Sequence, residues 1–276
     1  SIRPMHRREF VTAALALPLV RLAAPRVTPR FGCAAITWNG NDAEAIDDIA
    51  ALGFRGIQLR GAAVARWGER PAELRELLAG RRLSLVALSS GNVRLDPAVE
   101  DSERAMHIRN AQFVRDVGGS FLQLIDTRPA GRAPAAADFR RMGSLLTEIG
   151  RRTADLGVTV AYHHHMGALG QSPEEMEQVL QATDPRYVRL LLDVAHFQAA
   201  GGDPVAAVRR HADRIGMLHL KDLQRRAPDG TGSAYSFVEL GRGEVNVRGV
   251  LTALESASYN GWAVVELDRV TDPSLT

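Results

Sequence analysis

The sequence is poor in cysteine, since Cys33 is the only one among its 276 residues. A single thiol excludes an internal disulfide. The chain is nevertheless long enough to bury a sizeable core. Its apolar content of 45% and charged content of 24% are ordinary for a globular protein.

The sequence also lacks an apolar run long enough to cross a membrane. Near the N-terminus, Phe10–Val20 is uncharged but too short to span a bilayer. Because Arg7-Arg8 precedes it, this segment resembles a twin-arginine export signal. We therefore predict an export signal or N-terminal arm over residues 1–28 and a periplasmic protein. A plain surface arm is the alternative, and it would imply a cytoplasmic location.

The chain after residue 30 also lacks an excess of positive charge. The formal net charge is +2, but residues 1–30 alone carry +5, which leaves −3 for the rest of the chain. The positive charge therefore says little about nucleic acid, and no nucleic-acid partner is expected. An endonuclease acting on damaged DNA would require a basic face.

Lysine is almost absent, because Lys221 is the only lysine among 34 basic residues. A lone lysine beside His219 indicates a site that needs a compact ammonium, or a group able to lose its proton. Chance is the alternative explanation.

Strand-like runs alternate with helical patterns eight times after residue 30. Eight such units predict a single closed (β/α)8 barrel over residues 29–276. An open doubly wound sheet is the alternative, and the lack of a glycine-rich phosphate loop after the first run weakens it. A polar loop at Gln224–Ser236 is a candidate lid. The predicted strands are Phe31–Trp38, Phe54–Leu59, Leu83–Leu88, Phe121–Ile125, 158–163, Val188–Leu192, Ile215–Leu220 and Trp262–Val265.

Three consecutive histidines close the fifth predicted strand. Side chains alternate along a strand, so His163 and His165 share one face with Thr159 and Ala161. His164 belongs to the opposite face with the bulkier apolar residues, where we expect a structural role. The small face suits the inside of a barrel at its rim.

Acidic and imidazole side chains end the three later strands too. Chemistry in such barrels lies at the carboxyl ends of the strands. We predict one divalent cation, with Mn, Co, Zn or Fe favoured over Mg because imidazole accompanies carboxylate. Histidines that merely fill the rim or core are the alternative. The predicted ligands are His163, Asp193, His219 and Glu266.

Several of these segments together resemble the sugar phosphate isomerase/epimerase family, which has a xylose isomerase-like TIM barrel. The likeness covers about residues 31–270. The run Tyr162-His163-His164-His165-Met166-Gly167 is most similar to inosose dehydratases within that family. The other matching segments are Leu191-Leu192-Asp193-Val194-Ala195-His196, His219-Leu220-Lys221-Asp222, Phe237–Gly243 and Tyr259–Glu266.

The resemblance implies a metal site, with one departure. Family members hold the metal with Glu, Asp, His and Glu from four successive strands, and Asp193, His219 and Glu266 match. His163 stands where the family usually has glutamate. A nitrogen that binds a metal has no lone pair left for a proton, so His163 is either a ligand or a base. The resemblance also places His196 and His165 near the substrate.

The predicted reaction is metal-assisted proton abstraction next to a carbonyl of a keto-sugar or cyclitol. Glu266 is the first choice of base, and His165 or His163 the second. Lys221 and His196 are expected to hold or protonate substrate oxygens. The predicted substrate contacts are His165, His196, Lys221 and Trp38.

Two outcomes of this chemistry stay open. Reprotonation gives isomerisation or epimerisation, whereas expulsion of a β-substituent gives elimination, as in a dehydratase. A non-catalytic periplasmic sugar-binding protein is a further alternative. Export would argue against a phosphorylated substrate. An oligomer is compatible with the sequence, but the sequence identifies no subunit interface.

Overall fold

A closed barrel of eight parallel strands forms the centre of the computed structural model, which describes residues 28–226 and 234–270. This confirms the predicted (β/α)8 barrel and excludes the open sheet. The predicted export signal lies outside the described residues except for residue 28, and it stays a prediction. The barrel strands are β1 (Arg30–Ala34), β2 (Gly56–Arg60), β3 (Ser84–Val93), β4 (Phe121–Asp126), β5 (Thr159–His163), β6 (Val188–Asp193), β7 (Ile215–Leu220) and β10 (Trp262–Val265).

Helices surround the barrel, with starts that the sequence largely specifies. Ser172 caps α6, because its hydroxyl accepts from the Glu175 backbone N–H at 3.2 Å while the Glu175 carboxylate accepts from Ser172 N–H at 3.1 Å. The helices are α1 (Asp42–Ala51), α2 (Ala62–Trp67), α3 (Pro71–Gly80), α4 (Glu100–Val117), α5 (Ala136–Ala154), α6 (Pro173–Gln181), α7 (Val194–Ala199), α8 (Pro204–His211) and α9 (Val247–Ser256). None of the described helices is long and apolar enough to cross a membrane.

The core has two parts, one outside and one inside the barrel. Along β5, Val160 and Tyr162 belong to the large cluster between strands and helices. Ala161 belongs to a smaller cluster inside the barrel with Leu191 and Met217. The predicted alternation of β5 is therefore confirmed, and it aims His163 into the barrel.

Trp262 fills the interior near the amino-terminal ends of the strands. Its ring lies beside Gly56, where an added Cβ would approach Trp262 Cζ3 to 2.6 Å and Val86 Cγ2 to 2.5 Å. The indole takes the space that a side chain at position 56 would need. The barrel is therefore filled at this end, and open space is left at the other.

The first strand ends earlier than predicted. Residues Ala35–Trp38 form a 3-10 helix rather than the end of β1. Asn39 follows with φ of 48°, a left-handed conformation that asparagine tolerates, and the chain turns there toward α1. The run looked strand-like because its residues are apolar or β-branched, and period alone does not separate the two structures.

The third strand is longer than predicted. It continues through Ser89-Ser90-Gly91 to Val93, and its pairing with β4 shifts register between Ser89 and Gly91. Gly91 has φ of 106°, which a residue with a Cβ rarely adopts. A bulge of this kind lets a strand extend beyond the point where Ser-Ser-Gly predicts a turn.

The two ends of the predicted polar loop after β7 belong to an antiparallel hairpin. Strands β8 (Asp222–Arg225) and β9 (Tyr235–Val238) pair with each other, and residues 227–233 between them lie outside the described residues. The buried Asp222 carboxylate accepts from the backbone N–H groups of Gly241 and Gly243, each at 2.9 Å, and of Val245 at 3.0 Å. Asp222 thereby fixes the chain that leads into α9.

Gly56→Ala is expected to lower the free energy of unfolding by about 1–3 kcal/mol, because the new methyl overpacks the Trp262 ring and Val86. Gly80→Ala in α3 is the matched control, since an added Cβ there meets nothing within 4 Å. We expect Gly80→Ala to leave stability unchanged or raise it by up to about 1 kcal/mol. Urea denaturation measures both, and equal effects would contradict the packing described for Trp262.

Candidate metal centre and active-site cavity

Three predicted ligands converge at the carboxyl ends of β5, β6 and β7. One ligand atom from each of His163, Asp193 and His219 lies within 4.8 Å of the other two. All three side chains are buried. The register aligns Asp193 with His219 directly across β6 and β7, which brings two of the ligand atoms together.

Each of these residues keeps one buried atom without a hydrogen-bond partner among the described residues. The atoms are His163 Nδ1, Asp193 Oδ2 and His219 Nδ1. Asp193 Oδ1, in contrast, accepts from the N–H groups of Ala195 and His196, both at 2.9 Å, and caps α7. Unpaired polar atoms are costly inside a protein, and a cation bound by all three would compensate them. The donor set therefore fits a divalent metal.

Gln58 fixes the tautomer of His219. The Gln58 amide donates to Gln123 Oε1 at 2.5 Å and to Ser89 Oγ at 3.0 Å, so its Oε1 faces His219. His219 Nε2 lies 3.0 Å from that oxygen and must carry the hydrogen. In the neutral ring the lone pair is then on Nδ1, which points to Asp193 Oδ2 and Glu266 Oε1, both 3.5 Å away.

Burial keeps three of the imidazoles around Asp193 neutral. Burial, with the nearby His219, lowers the pKa of His163 well below its usual value. Burial also lowers the pKa of His164 to about 4 and that of His196 to about 2. A neutral imidazole keeps a lone pair, which metal ligation requires.

Glu266 lies beside the group of His163, Asp193 and His219 and is bound to Lys221. Its Oε1 accepts from Lys221 Nζ at 3.0 Å, and Asp268 accepts from the same nitrogen at 2.7 Å. The Phe237 ring of β9 completes the enclosure, with its centroid 4.1 Å from Nζ. Burial opposes the charge, but Glu266, Asp193 and Asp268 outweigh it and raise the pKa of Lys221. Lys221 is a permanent ammonium here rather than a base.

His165 and His196 form a second group with His163, whose ligand atoms also lie within 4.8 Å of one another. His165 Nδ1 donates to the Met166 carbonyl at 2.7 Å, so in the neutral ring the lone pair is on Nε2. His196 Nδ1 accepts from Met166 N–H at 3.4 Å, so its Nε2 carries the hydrogen. His196 Nε2 is thus a donor, and the set containing Asp193 suits a cation better.

His164 and Asp126 support the site from outside the barrel. His164 Nε2 accepts from the Asp193 backbone N–H at 3.3 Å, and its ring lies edge-on to Phe197. The buried Asp126 accepts from Tyr162 Oη at 2.7 Å and from Leu169 N–H at 2.9 Å. These contacts hold the chain on both sides of the three histidines.

A cavity of about 500 Å³ opens above the barrel, and two of the predicted ligands and His165 line it. Trp38 is not among its lining residues, because the Trp38 indole Nε1 donates to Asp48 on α1 at 2.8 Å. His196 and Lys221 do not line it either, but each contacts a lining residue: the His196 ring centroid lies 3.8 Å from that of His165, and Lys221 Nζ lies 3.0 Å from Glu266 Oε1. Trp38 is directed to α1 instead. The polar or charged lining residues are Asn39, Gln58, Arg60, Ser89, Ser90, Gln123, His163, His165, Glu266 and Asp268.

Most of these polar lining residues are not predicted by the sequence. Gln58, Arg60, Ser89 and Gln123 lie on β2, β3 and β4, where the family likeness is vague. One signal was available, because polar residues at inward positions of otherwise apolar strands are unusual. Gln58 lies between Ile57 and Leu59, and Gln123 between Leu122 and Leu124.

Comparison with known protein families matches residues 46–275 to the family described as xylose isomerase-like TIM barrel. The chain belongs to this family. The inosose dehydratase of Lacticaseibacillus casei (strain BL23) is 26% identical over 280 residues, which cover 90% of this chain and 91% of that protein. The rhizopine catabolism protein MocC of Rhizobium meliloti is 29% identical over 272 residues, or 87% of this chain and 81% of that protein. Together with these relatives, the family membership identifies the chain as an enzyme.

Solved structures share the fold of this family member. The protein IolI, solved with a bound zinc atom, has a TM-score of 0.74 at 17% identity and covers 87% of this chain and 89% of that one. The probable 3-DHS dehydratase AsbF from Bacillus anthracis has a TM-score of 0.72 at 16% identity, covering 87% and 93%. At these identities the likeness concerns the fold alone.

Metal binding can be tested on the metal-free protein. Adding Zn²⁺, Mn²⁺ or Co²⁺ at about 100 times the dissociation constant is expected to stabilise the fold by about 2.7 kcal/mol. Asp193→Asn and His163→Ala should abolish this thermal shift, since each removes a ligand atom. His211→Gln, which changes a histidine on α8 away from the barrel mouth, should keep it. A full shift in Asp193→Asn would contradict the site.

Gln58→Leu is expected to weaken metal binding by about 10–100-fold, because His219 then loses the acceptor that fixes its tautomer. Titration with Zn²⁺ against a competing chelator measures the affinity. Gln178→Leu, at an exposed position of α6, serves as the control with the same chemical change. Unchanged affinity in a folded Gln58→Leu protein would exclude the role given to Gln58.

Proposed function

We propose that this enzyme is a metal-dependent dehydratase acting on a keto-cyclitol or a related keto-sugar. The main support is the set of unpaired buried atoms on His163, Asp193 and His219. The names of the curated relatives, inosose dehydratase among them, favour a carbon–oxygen lyase within the family. Periplasmic export is a separate prediction from the sequence and carries no part of this proposal.

The proposed metal ligands are His163, Asp193 and His219. A divalent cation held there supplies positive charge that polarises a substrate carbonyl. Glu266 lies next to these ligands, with Oε1 3.5 Å from His219 Nδ1, and we assign it the role of base. In this proposal His163 Nδ1 is a metal ligand, and that atom is then not available as a base.

Glu266 is the proposed general base. Its contacts with Lys221 and His219 both involve Oε1, and the residue lines the cavity. We therefore propose that Oε2 is the oxygen that accepts the proton from the substrate. The ammonium of Lys221 balances the carboxylate charge and holds Glu266 in place.

His165 and His196 are the proposed contacts to substrate oxygens. His196 offers an N–H on Nε2, whereas His165 offers a lone pair on Nε2, so one can donate to an oxygen and the other can accept from a hydroxyl. Such a pair orients a polyol whose neighbouring carbons carry both a carbonyl and hydroxyl groups. Lys221 reaches the substrate only through Glu266 and Asp268 in this arrangement.

The proposed reaction removes one molecule of water without oxidation. Glu266 takes the proton from the carbon next to the carbonyl, and the C–H electron pair forms an enolate. The enolate electrons then make a carbon–carbon double bond as the β C–O bond breaks, and the hydroxyl leaves with a proton as water. Protonation of the enolate on the opposite face of the same carbon would instead give epimerisation, so only the product separates the two outcomes.

The first step is tested by incubating the metal-loaded enzyme with inosose in deuterated water. We expect deuterium at the carbon next to the carbonyl, and an unsaturated product that is lighter by one water. Glu266→Gln should slow the exchange by about 100–10,000-fold, the usual contribution of a general base. Nuclear magnetic resonance follows the exchange, and mass spectrometry identifies the product.

Glu244→Gln is the matched control, since Glu244 is an exposed carboxylate that accepts from the Arg225 backbone N–H. It should exchange at the wild-type rate. Exchange without loss of water would replace the dehydratase by an epimerase. No exchange with any of the three metals would refute proton abstraction altogether.

A further inference from the structure

Arg60 stands at the mouth of the barrel on the inner face of β2. Residues alternate along this strand, and Gln58 points inward, as its contact with His219 shows. Arg60 is two residues farther toward the carboxyl end, so its side chain belongs to the same inner face. It lines the cavity together with His163, His165 and Glu266.

The strand order places Arg60 across the cavity from the proposed metal ligands. β2 lies four strands away from β6 in either direction around the closed barrel. Asp193 ends β6, with His163 and His219 on the strands at its two sides. A substrate whose carbonyl lies at the metal ligands therefore extends toward Arg60.

The guanidinium of Arg60 makes no ion pair with a carboxylate of the described residues. Burial raises the pKa of Asp42 on α1, and Arg66 and Arg60 act against that rise from beyond ion-pair distance. The acidic groups of the cavity do not compensate Arg60 either, because Lys221 holds both Glu266 and Asp268. The cavity thus presents one uncompensated positive charge at its outer side.

We propose that Arg60 binds a carboxylate on the substrate, so that the enzyme acts on a carboxylated keto-cyclitol or keto-sugar acid. This inference rests on the proposed function for the position of the carbonyl. The planar guanidinium matches a carboxylate with two parallel hydrogen bonds. A neutral polyol would leave that charge without a partner.

A carboxylate suits Arg60 better than a phosphate ester does. One guanidinium balances one negative charge, whereas a phosphate monoester carries a charge of about −1.5 to −2 at neutral pH. The chain has a single lysine, and it is already held by two carboxylates. No second free cation among the cavity residues of the described chain would serve a dianion.

Calorimetric titration with three cyclitol probes tests the assignment on the metal-loaded protein. The probes are quinate, which carries a carboxylate, myo-inositol, which is neutral, and a myo-inositol monophosphate. We expect quinate to bind about 10–100-fold more tightly than myo-inositol, the effect of one charge-assisted pair. Tighter binding of the monophosphate than of quinate would overturn the choice of carboxylate.

Arg60→Gln should remove the preference for quinate and leave the affinity for myo-inositol within about twofold, because only the ion pair is lost. Arg55→Gln is the matched control, since it removes an exposed charge just before the other end of β2. It should keep the wild-type preference. An unchanged preference in Arg60→Gln, or no quinate binding at 100 times the protein concentration, would overturn the proposal.

The binding measurements test the anion site, and the exchange measurements test the dehydratase proposal, so the two can fail separately. If no substrate exchanges deuterium but the quinate preference depends on Arg60, the dehydratase proposal fails and the anion site stands. If neutral inosose exchanges deuterium and Arg60→Gln behaves as wild type in all titrations, the anion site fails and the dehydratase proposal stands.

Discussion

A buried carboxylate oxygen that receives no hydrogen bond is the constraint around which the mouth of this barrel is arranged. Asp193 uses one oxygen to cap α7 and turns the other toward the buried imidazoles of His163 and His219. An isolated charge at such depth is unfavourable by several kcal/mol unless a cation or a donor meets it. His196 Nε2 lies 4.0 Å from that oxygen, beyond hydrogen-bond distance, and two other neighbouring hydrogens are directed elsewhere. Gln58 holds the His219 hydrogen on the far nitrogen, and His164 takes the Asp193 backbone N–H instead.

The charge on Lys221, unlike the one on Asp193, is compensated by its neighbours. Its ammonium has two carboxylates and an aromatic face, so its charge is fully matched. The contacts join β7, the chain after β10 and the β8–β9 hairpin into one unit. Glu266 belongs to both groups, and its carboxylate is therefore held at a fixed position between the metal ligands and the open cavity.

The barrel and the late strand ends were readable from the sequence, because periodicity and polar residues at strand ends are local signals. The eight strands and the inward aim of His163 followed from alternation along the chain. Gln58 and Arg60 were missed, since their roles depend on which side chains face them across the barrel. Trp38 was placed at the site because its run looked like a strand, and Asn39 ends that run as a helical turn. Which imidazole nitrogen holds its hydrogen depends on partners such as Met166, which only the folded chain reveals.

The enclosure of Lys221 also determines how the protein meets chemical reagents. It is the only lysine in the chain and is 1% exposed, so every other cationic side chain that the surface presents is a guanidinium or an imidazole. Amine-reactive labels, cross-linkers and lysine-modifying enzymes therefore find no lysine on the described surface. Any acylation of Lys221 would report that Phe237 and the two carboxylates had moved apart, which makes this residue a built-in probe of opening at the barrel mouth.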